Sequence, residues 1–235
     1  MLNKQEIIDK LTSHANTKKA DGAKVSYPTK MTVLGVRVPD LKNVLKEYNP
    51  RLKQISVNDK IKLIIELVNT NIIECQQFGF EIINGDKNLL QFLTEKDAFA
   101  MMVNMDNWLS VDYFAGVVLG PLWREKKVPY KKIEQLAKSK DFWEKRIAVV
   151  ATVALNQKAR SGKGDVEQTL KICSLVANEK NDMVIKALSW ALRELAKIEK
   201  QPVKDFLEEN NNRLSPKIIR EVGNKINFGT KIIKS

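Results

Sequence analysis

In the segment Asn107-Trp-Leu-Ser-Val-Asp-Tyr113, Trp108 and Asp112 have the residue types and the spacing for bond-breaking chemistry. Four residues apart on an α-helix, an indole and a carboxylate lie on one face. Few other residues compete for that role. The only histidine is His14, near the N-terminus, and Cys75 and Cys173 stand apart from each other and from any metal-ligand pattern. A catalytic triad, a zinc site and a thiol pair are therefore not expected, and neither a metal nor a cofactor is called for.

The elements that position this pair must be helical. Apolar residues recur at helical spacing almost throughout, and alternating strand-like runs are scarce, so the fold class reads as all-α. Helices are expected over residues 3–16, 39–48, 57–69, 71–84, 94–106, 110–120, 130–139, 141–158, 165–178, 182–198, 201–211 and 215–226. Pro39 suits a first helical turn, and Ser56 and Ser215 suit N-caps. Gly85, Gly120-Pro121 and Ser161-Gly-Lys-Gly164 should be turns. From residue 57 onward the helices fall into pairs of about 35–40 residues, the size of a helical-repeat unit. Such pairs bury their apolar seams by stacking, which predicts a HEAT-like solenoid with a concave basic groove. A compact orthogonal helical domain is the alternative. No linker interrupts the pattern, so residues 1–235 read as a single domain.

With 43% hydrophobic residues interleaved with charge, the chain is too apolar for disorder and too interrupted for a membrane span. The N-terminus lacks the apolar run of a secretory signal, and unpaired cysteines suit a reducing compartment, so a cytoplasmic monomer is expected, with no membrane partner. The formal charge of +12 is unevenly placed. Residues 1–60 carry 12 basic and 6 acidic side chains, residues 61–120 carry 3 and 8, and residues 121–163 carry 12 and 4. Basic excess on both sides of an acidic block favours a polyanion, and nucleic acid is the usual one. Solvated lysines with no partner are the bland alternative.

Two polar stripes add to the pair. In the helix over 182–198, Ile185, Leu188, Leu192 and Leu195 form the buried stripe, while Lys186, Trp190, Arg193 and Lys197 fall on another. A tryptophan flanked by cations can stack on sugars or bases while the cations hold phosphates; equally, Trp190 can cap the core edge. Arg146 opens the apolar helix of Asp141-Phe-Trp-Glu-Lys-Arg-Ile-Ala148, suited either to bidentate phosphate contact or to an ion pair with Glu144 or Glu194. Trp143 reads as core. Asp112 also has a second reading: with Ser110 as N-cap it would sit in the first helical turn, complementing the helix dipole. Val111, Phe114, Ala115, Val118 and Leu122 supply the buried side of that helix.

Four segments together resemble the DNA alkylation repair proteins of the AlkD type, HEAT-like-repeat DNA glycosylases. They are Leu34-Gly-Val-Arg-Val-Pro-Asp-Leu-Lys42, Asn107-Trp-Leu-Ser-Val-Asp112, Trp143-Glu-Lys-Arg-Ile-Ala148 and Lys186-Ala-Leu-Ser-Trp-Ala-Leu-Arg-Glu-Leu-Ala-Lys197. Their order and spacing fit the family over roughly residues 3 to 226. The resemblance implies that Asp112 is the catalytic carboxylate, that Trp108 and Trp190 flank the reacting nucleotide, and that Arg146 holds backbone phosphate. Tyr27 is the candidate for the family's N-terminal aromatic contact. The family commonly has an aspartate directly after the tryptophan; here that residue is Leu109.

The family's substrates, N3- and N7-alkylated purines in duplex DNA, suit so sparse a site. Alkylation makes the base cationic and a good leaving group, so no general acid is required. Positive charge then develops on the deoxyribose, where an ionised carboxylate would stabilise it. The implied activity is a monofunctional DNA glycosylase of base excision repair, acting at the nucleoid. The alternative is a noncatalytic relative that binds damaged or branched DNA. A helical scaffold for a protein partner is a third class.

Overall fold

The structure, a computed structural model, describes residues 2–86 and 88–232. Among these residues the regular elements are all helical, and the single β-like feature is an isolated parallel bridge between Thr32 and Ile72. The chain divides into two compact units, Met1–Val118 and Leu119–Ser235.

The first unit comprises α1 (Lys4–Thr12), α2 (Thr17–Ser26), α3 (Val38–Gln54), α4 (Val57–Val68), α5 (Ile73–Gly85), α6 (Leu89–Phe92), α7 (Glu95–Met101) and α8 (Trp108–Phe114). Its core lies where α4 packs on α5, with α1, α3 and α8 against α5. Ile64, Leu67, Phe78 and Ile83 are buried there. Side-chain caps set most of the helix starts: Asn3, Asn16, Ser56 and Thr94 each accept a backbone N–H from the first turn, satisfying a donor that has no partner inside the helix. Asn16 is also why the helix expected over 3–16 ends at Thr12: the asparagine accepts from Lys19 N and opens α2, which the apolar periodicity does not reveal. The helix expected over 94–106 stops at Met101, and Asn104 takes a left-handed conformation with φ of 55°. In the other direction, α3 outruns the expected 39–48, continuing past Pro50 to Gln54.

Gly120-Pro121 is not the expected turn. From α8 the chain passes through a π-helical stretch, Ala115–Leu119, into α9 (Gly120–Arg124), with Pro121 in the first turn. Proline lacks the N–H for the helical ladder and crowds the carbonyl four residues back, and a wider π turn accommodates both.

The rest of the second unit comprises α10 (Tyr130–Ala137), α11 (Phe142–Asn156), α12 (Val166–Leu175), α13 (Asp182–Leu195), α14 (Lys200–Glu209) and α15 (Pro216–Phe228). Every residue of α11 from Arg146 to Asn156 is buried, as befits a helix with neighbours all round. It packs on α9, α10, α12 and α13, and α13 in turn packs on α15. Each helix thus covers an apolar face that its neighbour cannot bury alone, which is the logic of a helical repeat. At the end of α11 the buried Asn156 amide donates to Thr152 O and Thr169 Oγ1, each at 2.9 Å, and its Oδ1 accepts from Asp165 N at 3.1 Å.

Candidate functional site

In the first unit, α8 begins one residue after Asn107, whose side chain accepts from Ser110 N at 3.0 Å. Asn107 is therefore the cap, and Ser110 is a buried residue of the first turn rather than the cap expected from its type. The shift moves Asp112 into the second turn, where the dipole's influence has largely decayed. Trp108 and Asp112 sit one helical turn apart, and both are half-buried.

The indole of Trp108 is held. Its Nε1 donates to the carbonyl of Ser26 at 3.0 Å, at the C-terminus of α2. Tyr27, the next residue, stands edge-on to it, with ring centroids 6.1 Å apart and an interplanar angle of 90°. Burial pushes the Tyr27 phenol above its ordinary pKa, with the Glu74 carboxylate adding to the effect. The Tyr27–Trp108 contact thus joins two residues singled out from sequence, although they lie far apart in it.

Residues 27–36 reach this position as a strap clasped by two carboxylates. Asp106, just before α8, accepts from the Thr29 hydroxyl and, at 2.7 Å, from Lys30 N. The buried Glu74 of α5 accepts from three successive backbone N–H groups: Leu34 at 2.9 Å, Gly35 at 2.7 Å and Val36 at 3.3 Å. Between the two clasps, Thr32 N donates to Asn71 O at 2.9 Å and Ile73 N to Thr32 O at 3.0 Å. Gly35 has φ of +77°, and a Cβ there would meet Asn16 O at 2.2 Å, so the strap approaches α2 too closely for any other residue. Beneath the strap, Leu109 and Tyr27 pack on the buried cluster of Ala20, Met31, Val33 and Ile73. An apolar side chain at 109 therefore has a seat, which an aspartate there would have to leave or desolvate.

Asp106 and Glu74 hold the strap without belonging to any motif in the sequence. Glu74 left a trace, an acid inside the apolar run Ile72-Ile73-Glu74-Cys75; Asp106 left none. The two thiols offer no nucleophile. Burial pushes Cys75 up to about 11 and raises Cys173 as well.

In the second unit, α13 presents the two expected stripes. Ile185, Leu188, Leu192 and Leu195 are buried, Trp190 and Arg193 are half-buried, and Lys186 and Lys197 are exposed. The cations are partly neutralised. Lys186 Nζ pairs with Asp182 at 2.7 Å, Lys217 shares that carboxylate at 2.9 Å, and Lys197 Nζ reaches both oxygens of Glu194. Arg193 Nε donates to Ser189 Oγ at 3.3 Å, and Ser189 donates to the buried Glu221 at 2.5 Å. Burial pulls Arg193 below its ordinary value, opposed by Glu221 and Glu194; so basic a group stays charged. Arg146 is only 6% exposed, and its Nη1 donates to the carbonyl of Met183 at the start of α13. Arg146, which the resemblance assigns to phosphate, thus also ties α11 to α13 through a backbone carbonyl. Trp143, read as core, is half-buried and packs against Phe142, with ring centroids 4.7 Å apart.

Helices that each bury an apolar face against the next define the class as a helical-repeat protein. The chain belongs to the DNA alkylation repair enzyme family, whose sequence profile matches residues 7–226. No curated protein matches the sequence. Among solved structures, the fold is similar to that of a predicted DNA alkylation repair enzyme from Enterococcus faecalis, with 16% identity over 92% of this chain and 97% of that one and a TM-score of 0.70. Family membership makes alkylation repair the field of action and DNA the implied partner.

Proposed function

We propose that the protein is a DNA N-glycosylase that releases N3- or N7-alkylated purines from duplex DNA. The observation that carries this reading is Asp112 in the second turn of α8, beside an indole locked by Ser26 and Tyr27. The alkylated base leaves as a neutral molecule, taking the bonding pair of the N-glycosidic bond. The deoxyribose is left with oxocarbenium character, which ionised Asp112 stabilises before water adds at C1′. The ring of Trp108 presents an electron-rich face and excludes bulk water. One preorganised carboxylate of this kind supplies roughly 3–4 kcal/mol. In the second unit, Trp190 with Lys186, Arg193 and Lys197 supplies stacking and phosphate contacts, and Arg146, buried as it is, fixes the helix that carries them and meets phosphate with what remains exposed.

The products are a free alkylated base and an abasic site. Methylated duplex DNA incubated with the protein should yield 7-methylguanine or 3-methyladenine on chromatography, and Asp112→Asn should release far less; silence from the wild type would end the proposal. The second reading, noncatalytic binding of damaged or branched DNA, draws on Leu109, which is apolar where the family commonly has an aspartate. That reading requires salt-sensitive binding unchanged by Asp112→Asn and no base release.

A further inference from the structure

The most basic block of the sequence, residues 121–163, is only slightly used by the site above. Three of its twelve basic side chains line a cavity of about 690 Å³ in the second unit, between α9, α10 and the loop that precedes α12. That volume lies within the roughly 300–1,000 Å³ usual for small-molecule sites. Arg124, Lys126 and Lys163 line it, with Trp123 and Tyr130 as aromatic wall and Asp165 as its one lining carboxylate.

The cationic side of the cavity is built, not incidental. Arg124 Nη1 donates to Ala154 O at 3.2 Å and to Arg160 O at 2.7 Å, which fixes the guanidinium plane. Lys126 and Lys163 are exposed, and among the described residues neither forms an ion pair with a carboxylate. Asp165 does not cancel them at close range, because its oxygens are turned onto Gln168, accepting from the backbone N at 3.0 Å and from Nε2 at 2.6 Å. Glu125 is 3.8 Å from Arg124 and takes up part of that one charge.

Both lining turns hold backbone in sparsely populated conformations. Lys126 and Ser161 are left-handed, with φ of 61° and 63°, and Gly164 has φ of 96°. The 161–165 loop cannot relax easily. Gly164 N donates to Leu155 O at 3.0 Å, a Cβ on Gly162 would meet that same oxygen at 2.6 Å, and Asn156 holds Asp165 N. Apolar groups complete the lining: Val128, Leu155 and the tilted pair Trp123 and Tyr130, with ring centroids 6.5 Å apart, of which Tyr130 alone is half-exposed.

Three cations sharing one cavity with a half-exposed aromatic ring match a ligand that carries both a doubly charged phosphate and a flat ring. We propose that this cavity binds a nucleoside monophosphate unit, its phosphomonoester on Arg124, Lys126 and Lys163 and its base against Tyr130. The unit can come from a free mononucleotide or from the 5′-phosphorylated end of a DNA strand. This inference stands apart from glycosylase activity, and neither depends on the other.

The test is calorimetric titration of the full chain with deoxyadenosine 5′-monophosphate, deoxyadenosine and inorganic phosphate, each repeated on Lys126→Ala/Lys163→Ala and on Tyr130→Ala. The two lysines are exposed, so the double variant should melt like wild type. Saturable binding of the mononucleotide is expected, weakened at least about tenfold by loss of the two cations and by a smaller factor in Tyr130→Ala. No saturable binding, or binding untouched by the double substitution, overturns the proposal. Inorganic phosphate binding as tightly as the mononucleotide also overturns it, since the aromatic wall would then contribute nothing. A single-stranded oligonucleotide with a 5′-phosphate, compared with its 5′-hydroxyl twin, separates the sources. A preference for the phosphorylated end assigns the cavity to DNA termini and equal binding assigns it to free nucleotide, and both sustain the pocket.

Discussion

The Trp108 indole donates its N–H to the carbonyl of Ser26 at 3.0 Å while Tyr27 meets the same ring edge-on at 6.1 Å. A residue at the end of α2 thereby sets the orientation of one at the start of α8, and the proposed chemistry depends on that orientation through Asp112 one turn later.

Asp112→Asn keeps size and helix propensity but removes the negative charge. Base release from methylated duplex should fall by about 10²–10³-fold, the typical cost of one preorganised electrostatic group. Affinity for the same duplex, measured by fluorescence anisotropy, should stay within about twofold, because the lost interaction acts on the transition state.

Asp106→Ala removes the acceptor of Thr29 and Lys30. The strap should open locally while the core of α4 and α5 stays folded. Hydrogen exchange should speed up across residues 27–33, by the equivalent of about 1–3 kcal/mol for the lost acceptors. The fluorescence of Trp108 should shift as its seat loosens. Unchanged exchange in that segment would show that the apolar cluster alone holds the strap.

Gly35→Ala should be among the most damaging single-methyl additions in the chain. The backbone there is left-handed, and the new Cβ would lie 2.2 Å from Asn16 O. The conformational cost is about 1–3 kcal/mol before the clash is counted. Thermal melting should show a fall in midpoint well beyond that of Gly22→Ala, where a Cβ meets nothing within 4 Å.

Acid should weaken the second unit through Glu179. Its hydrogen bond to Lys145, at 2.5 Å, holds the carboxyl below its ordinary value, with backbone N–H groups of Lys180 and Asn181 adding to the effect. A group whose pKa is depressed by folding contributes stability above its unfolded value and loses it as pH falls through the folded one. Melting midpoints should therefore drop below the ordinary carboxylate range, and Glu179→Gln should flatten part of that slope at a cost of about 1 kcal/mol near neutrality.

The sequence made the helical character legible because burial imposes a 3.6-residue period. The buried stripe of α13 and the apolar side of α8 appear as read, and Ser56 caps α4 as its type suggested. What escaped was short or nonlocal. Asn107 and Ser110 are both good capping types, and only the backbone decides between them. Gly120-Pro121 looks like a break because a π turn leaves no periodic signature. Of the candidate site, the Trp108 to Asp112 spacing was visible. Its support was not, since Glu74 and Asp106 act on residues 38–77 positions away. The burial of Arg146 was likewise hidden, because an arginine facing a carbonyl reads the same in sequence as one facing solvent.

Leu109 and Tyr27 pack on the same buried cluster of Met31, Val33 and Ile73, an apolar seat that adds to the carboxylate clasps of the strap. Attraction of that origin fades on cooling and is not weakened by salt, whereas the grip of lysine and arginine on a phosphate backbone weakens with salt. Cold and brine should therefore act on different parts of the protein: chilling should weaken the apolar seat of the strap, and brine should release the polyanion while leaving that seat in place.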